Sequence, residues 1–256
     1  MHPYLKKHEK SFNFKKWLKE ALAEDVGHGD HTTLATLPKG KQGQMQLIIK
    51  EDGILAGVDA AKIIFHHINP KIKFTAQVKD GSAVKKGDIA FTVSGPSYQL
   101  VTAERLVLNV MQRMSGIATH THQLQQLCTD TKAKVIDTRK TTPLFRFFEK
   151  WAVVIGGGAN HRYALYDMIL IKDNHVDFAH GITEAIDLVT LYLQRIKLKL
   201  RIEIECRNIM DVKKVLKHGK VHRIMLDNFT PANAQKAVEL IAGKYCGLYR
   251  IPYFLP

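Results

Sequence analysis

Residues 201–228, RIEIECRNIMDVKKVLKHGKVHRIMLDN, decide the fold. A short apolar strand fits 201–205, a helical pattern occupies 208–217, and a second apolar strand fits 222–226. A strand, a helix and a strand in so few residues form a βαβ unit, whose two strands run parallel. The rhythm extends both ways. Upstream, AKVID at 133–137 and MILIK at 168–172 are predicted strands, with helices near 144–155 and over 181–197; downstream a helix is predicted over 231–242. Such alternation predicts a parallel sheet in an α/β architecture.

Each predicted strand carries or runs into polar residues: Asp137-Thr138-Arg139-Lys140, Lys172-Asp173-Asn174, Glu203 with Glu205, and Asp227-Asn228. Parallel sheets and barrels gather their chemistry at the carboxyl ends of strands, so the four segments mark one shared site. Arg139, Lys140, His161, Arg162 and Lys172 are cations at or near these ends. A guanidinium grips carboxylate or phosphate as a fork, and lysine adds a point charge. Salt bridges to acids of the next strand account for one arginine but not for five cations against two or three acids. The set therefore points to a ligand with several negative charges. Glu203 and Asp227 are the minority sign. They suit Mg²⁺ shared with substrate oxygens, sugar hydroxyls, or a developing positive charge. Glu205 alternates in phase with Glu203. Gly156-Gly157-Gly158, ahead of Asn160-His161-Arg162, allows close backbone approach but matches neither a dinucleotide fingerprint nor a P-loop.

The first hundred residues follow another plan. Phe14, Trp17, Leu18 and Leu22 predict a helix within 12–24. Strands are predicted at 44–49, 72–78 and 89–93, and a helix over 58–68 stops before Pro70. From Tyr98 to Cys128 the pattern is helical, with a break expected at Ser115-Gly116. This portion is α+β.

Charge narrows the partners. Thirty-eight Lys and Arg against 24 Asp and Glu give +14, which favours nucleic acid, an anionic membrane surface or a small polyanion. No RRM, KH or helix-turn-helix pattern is present, so a nucleic-acid-binding protein is only a remote alternative, resting on the lysines of 1–20 and 195–223. The apolar runs fall far short of the roughly 20 residues of a membrane span. No secretory leader is expected, because no apolar stretch follows Lys6, Lys7 and Lys10. Cys128, Cys206 and Cys246 are too few for a disulfide framework or a four-cysteine zinc site. A cytoplasmic setting is expected.

Several motifs together resemble the quinolinate phosphoribosyltransferase family. They are Glu24-Asp25-Val26-Gly27-His28-Gly29-Asp30, Ala103-Glu104-Arg105, Ser115-Gly116-Ile117-Ala118-Thr119, Asp137-Thr138-Arg139-Lys140-Thr141-Thr142-Pro143, Gly157-Gly158-Ala159-Asn160-His161-Arg162, Leu170-Ile171-Lys172-Asp173-Asn174-His175 and Met225-Leu226-Asp227-Asn228. The resemblance covers roughly residues 20–242. It implies an N-terminal α/β sandwich domain, taken as 1–112, and a catalytic domain, 113–256, shaped as an open, TIM-like α/β barrel. It also implies a homodimer in which Arg105 enters the neighbouring subunit's site. Arg105, Arg139, His161, Arg162 and Lys172 would bind the two carboxylates of quinolinate, with Thr138 beside them. Lys140, Glu203 and Asp227 would address phosphoribosyl pyrophosphate and its Mg²⁺, with Glu203 and Asp227 as the metal carboxylates. The implied reaction yields nicotinate mononucleotide, CO₂ and pyrophosphate in NAD biosynthesis. A relative acting on nicotinate or in a molybdenum pathway is the neighbouring alternative, and an inactive subunit a further one.

Two departures stand out. The family has a glycine after Pro143, where this chain has Leu144. From about Cys246 the chain leaves the family's glycine-rich phosphate cradle, so the barrel is expected to be truncated or replaced at its C-terminal strands.

Overall fold

The helix predicted over 58–68 forms with those bounds in the computed structural model, which describes residues 3–242 and 246–250. The chain divides into two compact units, Met1–His161 and Arg162–Pro256.

The first unit is α+β. Three helices, α1 (Pro3–His8), α2 (Phe14–Val26) and α3 (His31–Thr36), precede strand β1 (Gln42–Ile48) and the two-residue β2 (Gly53–Ile54). Helix α4 (Val58–Ile68), strands β3 (Lys73–Ala76), β4 (Ala83–Val84) and β5 (Ile89–Pro96), and helices α5 (Ser97–Gln126) and α6 (Arg146–Ile155) follow. An antiparallel sheet has the order β1-β5-β3, and β2 pairs with β4. Leu100, Val107, Met111 and Met114, recurring at helical spacing, bury one stripe of α5 in a core that includes Ile64, Phe65, Phe91 and Phe148.

The break expected at Ser115-Gly116 does not occur, and α5 runs straight through it. The hydroxyls there serve a neighbouring segment instead of their own helix. Ser115 Oγ accepts from Ala56 N (3.0 Å) and donates to Ala56 O (3.1 Å), and Thr119 Oγ1 accepts from Ile54 N (2.9 Å). Tertiary bonding and the buried stripe outweigh the roughly 1 kcal/mol that an interior glycine costs. AKVID likewise shortens: among the described residues it forms an isolated parallel bridge, Ile136 with Ala159, and no full strand.

Helix α4 begins at Gly57 in the left-handed region (φ 100°), where a Cβ would meet Met111 of α5 at 3.0 Å. It has no side-chain cap of its own. Asp80 supplies one from a distance, accepting from Val58 N (2.8 Å) and Asp59 N (3.3 Å). Burial pushes the Asp80 carboxyl above the usual carboxylate range despite these bonds. A carboxyl raised on folding binds its proton more tightly in the native state, so its contribution to stability falls as pH rises from the unfolded value through the folded one. Asp80→Asn removes that slope. The melting temperature of the variant minus that of the wild type should rise as pH increases above the ordinary carboxylate range of about 4. Parallel melts check this, and a difference that falls with pH would contradict it.

The second unit is the βαβ array. It contains β6 (Ile169–Ile171), α7 (Asp173–Phe178), α8 (Ile182–Arg195), β7 (Ile202–Cys206), α9 (Ile209–His218), β8 (Arg223–Asp227), α10 (Pro231–Ile241) and β9 (Cys246–Arg250). All four strands are parallel, in the sequential order β6-β7-β8-β9. The segment from Cys246, predicted to match nothing in the family, takes the fourth strand position. It pairs from Arg223–Cys246 to Asp227–Arg250. Sequential order, with the right-handed crossovers that parallel βαβ units almost always make, puts the helices on one side of the sheet, as in barrel-type winding. Ile171, Ile202, Ile204, Cys206, Ile224 and Leu226 bury that side, together with Ile186, Val212, Val215 and Ala237 of the helices. Burial also pushes the Cys206 thiol up to about 12.

Candidate active site

Alternation along the parallel strands decides what the opposite sheet face carries. Leu170 is paired with Glu203, Glu203 with Arg223, and Glu205 with Met225. Leu170, Glu203, Glu205, Arg223, Met225 and Asp227 therefore share the face that the helices leave open. Glu203 is fully buried and Glu205 is 5% exposed, which is costly for carboxylates without compensation. Arg223 supplies part of it, its Nη1 lying 3.3 Å from Glu203 Oε2. At the strand ends, Lys172 follows β6 and Asp227 closes β8. Asn228 then turns the chain in the left-handed region (φ 57°), which asparagine tolerates well. The Lys172 backbone N–H donates to His175 Nδ1 (2.9 Å), fixing the start of α7. Arg162 is buried, and its Nη1 donates to Met168 O (3.1 Å), just ahead of β6.

In the first unit Arg105 lies exposed on α5, and the other predicted residues lie on two adjacent segments, 137–140 and 159–161. Asp137 N donates to Ala159 O (3.2 Å) and Ala159 N to Val135 O (2.8 Å). The glycines allow this approach. A Cβ on Gly158 would sit 3.0 Å from Val135 O, one on Gly156 only 2.4 Å from Ala118 O of α5, and Gly157 has φ 92°. Thr138 Oγ1 accepts from Lys140 N (3.0 Å), bending the chain so that Lys140 is exposed. The following loop is pinned by α6. Glu149 accepts from Thr142 N (3.1 Å) and Thr142 Oγ1 (2.8 Å) and pairs with Arg113 (2.8 Å), while Arg146 Nε donates to Thr141 Oγ1 (3.0 Å).

Pairing separates the cations into two classes. Arg113, Arg207 and Arg223 each hold an acid. Arg105, Arg139, Lys140 and Lys172 form no ion pair among the described residues, and the Arg139 Nε is buried there without a hydrogen-bond partner. Salt bridging to the next strand is therefore not what Arg139 does. A buried, unpartnered guanidinium N–H costs free energy that an anionic ligand would recover.

The N-terminal domain of the family described as "Quinolinate phosphoribosyl transferase" matches residues 30–115, and its C-terminal domain matches residues 117–249. The chain belongs to the quinolinate phosphoribosyltransferase family. It is 43% identical over 250 residues to the chloroplastic nicotinate-nucleotide pyrophosphorylase (carboxylating) of Arabidopsis thaliana, covering 92% of this chain and 71% of that protein. With the mitochondrial quinolinate phosphoribosyltransferase (decarboxylating) 2b of Nicotiana tabacum the identity is 42%, with the same coverage. Crystalline NadC from Streptococcus pyogenes superposes with a TM-score of 0.87 at 34% identity, over 99% of this chain and 86% of that one. The family's C-terminal match reaches into β9, so the strand that the sequence left unassigned lies largely within it.

This member of the quinolinate phosphoribosyltransferase family also carries residues that sequence reasoning passed over: Lys150, Asn160, Glu149, Arg113 and Arg223. The signal for two of them was present. In RFFEKWAVVI, Glu149 and Lys150 interrupt a helix that is otherwise almost wholly apolar, and both are buried. A buried charge inside an apolar helix implies a partner.

The glycine that the resemblance implies after Pro143 has a physical explanation. Leu144 has φ 62° and is 84% exposed. A left-handed leucine is strained by roughly 1–2 kcal/mol, and glycine returns part of that as unfolded-state entropy. Leu144→Gly should raise stability by about 0.5 kcal/mol, roughly 1–2 °C in melting temperature. A lowered melting temperature would contradict this account of the loop.

Proposed function

We propose that the chain transfers the phosphoribosyl group of 5-phosphoribosyl 1-pyrophosphate to quinolinate, releasing pyrophosphate and CO₂ and forming nicotinate mononucleotide for NAD biosynthesis. The observation that carries this reading is the half-buried Arg139, whose guanidinium has no partner among the described residues in a chain of charge +14. In the first step the pyridine nitrogen's lone pair forms a bond to the anomeric carbon. The bond from that carbon to the pyrophosphate oxygen breaks, and its electron pair leaves with pyrophosphate. In the second step the bond from ring carbon 2 to its carboxylate breaks. CO₂ departs, the electron pair stays on the ring beside the pyridinium nitrogen, and a proton completes that carbon. No side chain acts as a nucleophile; positioning and electrostatics do the work.

Arg139, His161, Arg162 and Lys172, with Thr138 beside them, take the role of holding the two carboxylates. Lys140 neutralises phosphate charge. Glu203, buried on the open sheet face, favours positive charge developing on the sugar. Arg105 is exposed on α5 and has no ion pair among the described residues, which suits a residue that serves the neighbouring copy of a homodimer.

Mg²⁺ enters this reading as an ion carried with the pyrophosphate. Among the described residues no three His, Cys, Asp or Glu side chains gather to hold a metal alone. One or two carboxylates plus phosphates and water are the usual magnesium set. Asp227 at the end of β8 fits that set, while Glu203, already facing Arg223, fits it less directly. The ion would neutralise charge on the departing pyrophosphate.

Among the described residues no helix is long and apolar enough to cross a membrane. Cytoplasmic residence is part of the proposal, suited to the free thiols Cys128 and Cys206; recovery of the protein in an organelle fraction would contradict it.

The test is turnover by the purified 256-residue chain with quinolinate, phosphoribosyl pyrophosphate and Mg²⁺. Equal amounts of nicotinate mononucleotide, CO₂ and pyrophosphate are expected, with none formed when either substrate is omitted. Absence of product, or consumption of nicotinate without CO₂, would refute the proposal.

A further inference from the structure

Lys150 of α6 is 1% exposed, the least solvated cation among the described residues of the first unit. Its ammonium bonds to the Asp137 carboxylate and makes a longer contact, 3.4 Å, to His161 O. Asp137 also accepts from His161 N (2.8 Å) and Asn160 Nδ2 (2.6 Å). Asn160 Nδ2 donates again to Lys150 O (2.8 Å), and Asn160 Oδ1 accepts from Tyr4 Oη (3.1 Å). Both carboxylate oxygens and both ends of the Asn160 amide are engaged, so this is a satisfied polar network and not a stray charge.

Its location is informative. Backbone pairing between the two cation-bearing segments ends at Asp137 N with Ala159 O. Beyond that point the chain departs on one side into Thr138-Arg139-Lys140 and on the other through His161. The Asp137–Lys150 pair takes over where the ladder stops. It grips the peptide groups on both sides of the His161 α-carbon, the N–H through Asp137 and the carbonyl through Lys150, and so sets where the His161 side chain leaves the backbone. A buried ion pair is weak evidence for a role in stability, since apolar residues of similar volume often replace one at no cost. The pair is formally neutral, so it orders these segments without adding to their positive charge.

We propose that Asp137 and Lys150 are a positioning pair that sets the arrangement of Arg139 and His161 and thereby governs affinity for the pyridine dicarboxylate. The inference rests on the functional reading above and assigns to the pair no contact with substrate. Burial pushes the Asp137 carboxyl up against the pull of Lys150, in keeping with a pair held where desolvation is costly.

The experiment compares the wild type with the double variant Asp137→Asn/Lys150→Met, which deletes both charges together, and with Lys150→Arg, which keeps the pair charged but alters its length. Melting curves establish folding; steady-state kinetics give KM for each substrate, and calorimetry gives the Kd for quinolinate alone. For the double variant, KM and Kd for quinolinate should rise about tenfold or more, with KM for phosphoribosyl pyrophosphate within about threefold. Lys150→Arg should show the same selective loss, about threefold or more. If the double variant does not fold, Lys150→Arg decides. A folded variant with unchanged quinolinate affinity, or with equal loss for both substrates, would overturn the proposal. A wild type that neither binds nor turns over quinolinate would instead overturn the functional reading, and this inference with it.

Discussion

Arg139→Met is expected to lower kcat/KM for quinolinate by about two to four orders of magnitude while leaving the melting temperature unchanged or slightly raised. The guanidinium makes no ion pair among the described residues and its Nε is buried without a partner, so folding gains little from it. Binding a carboxylate would recover two charge-assisted hydrogen bonds, each worth roughly 1.5–3 kcal/mol, which sets the size of the kinetic loss. Methionine retains the packing of the stem and deletes the fork. The combination separates a ligand-binding arginine from a structural one, because a structural arginine would lose stability first. A melting temperature lowered by several degrees with kinetics intact would reverse the assignment.

Glu203→Gln tests the opposite charge. The glutamine side chain would keep the shape, and the open sheet face would lose one negative charge from a fully buried position. A charge that favours positive character on the sugar acts mainly in the transition state, so kcat should fall about a hundredfold, with KM for quinolinate changed less than about threefold. The substitution also takes the acid from Arg223, whose side chain is 24% exposed. Partial hydration limits that cost to about 1–3 kcal/mol, and melting curves keep it apart from catalysis. A large rise in KM with kcat preserved would make Glu203 a binding residue and not an electrostatic one.

How much of this was legible depended on local period. Helix α4 ends ahead of Asn69-Pro70, and its apolar spacing is regular, so its bounds were readable. The strands around Ile204 and Ile224 were readable because a parallel strand buried against helices is short and apolar and ends in polar residues. The segment 133–137 has the same look, yet only Ile136 finds a bridge, since strand pairing depends on neighbours that no local window contains. At Ser115 the hydroxyl's use lay 59 residues away, at Ala56. The cations of the candidate site could be picked out because chemistry clusters at strand ends. Lys150 left a local signal, a charge inside an apolar helix, but its role was not legible, because its partner Asp137 is brought to it by the fold.

The central claim is that the positive side chains around Arg139, which itself makes no ion pair among the described residues, recognise a pyridine bearing two carboxylates. Calorimetric competition between quinolinate and nicotinate on the purified chain tests it most directly. The account predicts that quinolinate binds at least about tenfold more tightly, the second carboxylate being worth one charge-assisted contact or more, and that this margin shrinks in Arg139→Met. Nicotinate binding as tightly as quinolinate, or a margin indifferent to Arg139, would contradict it.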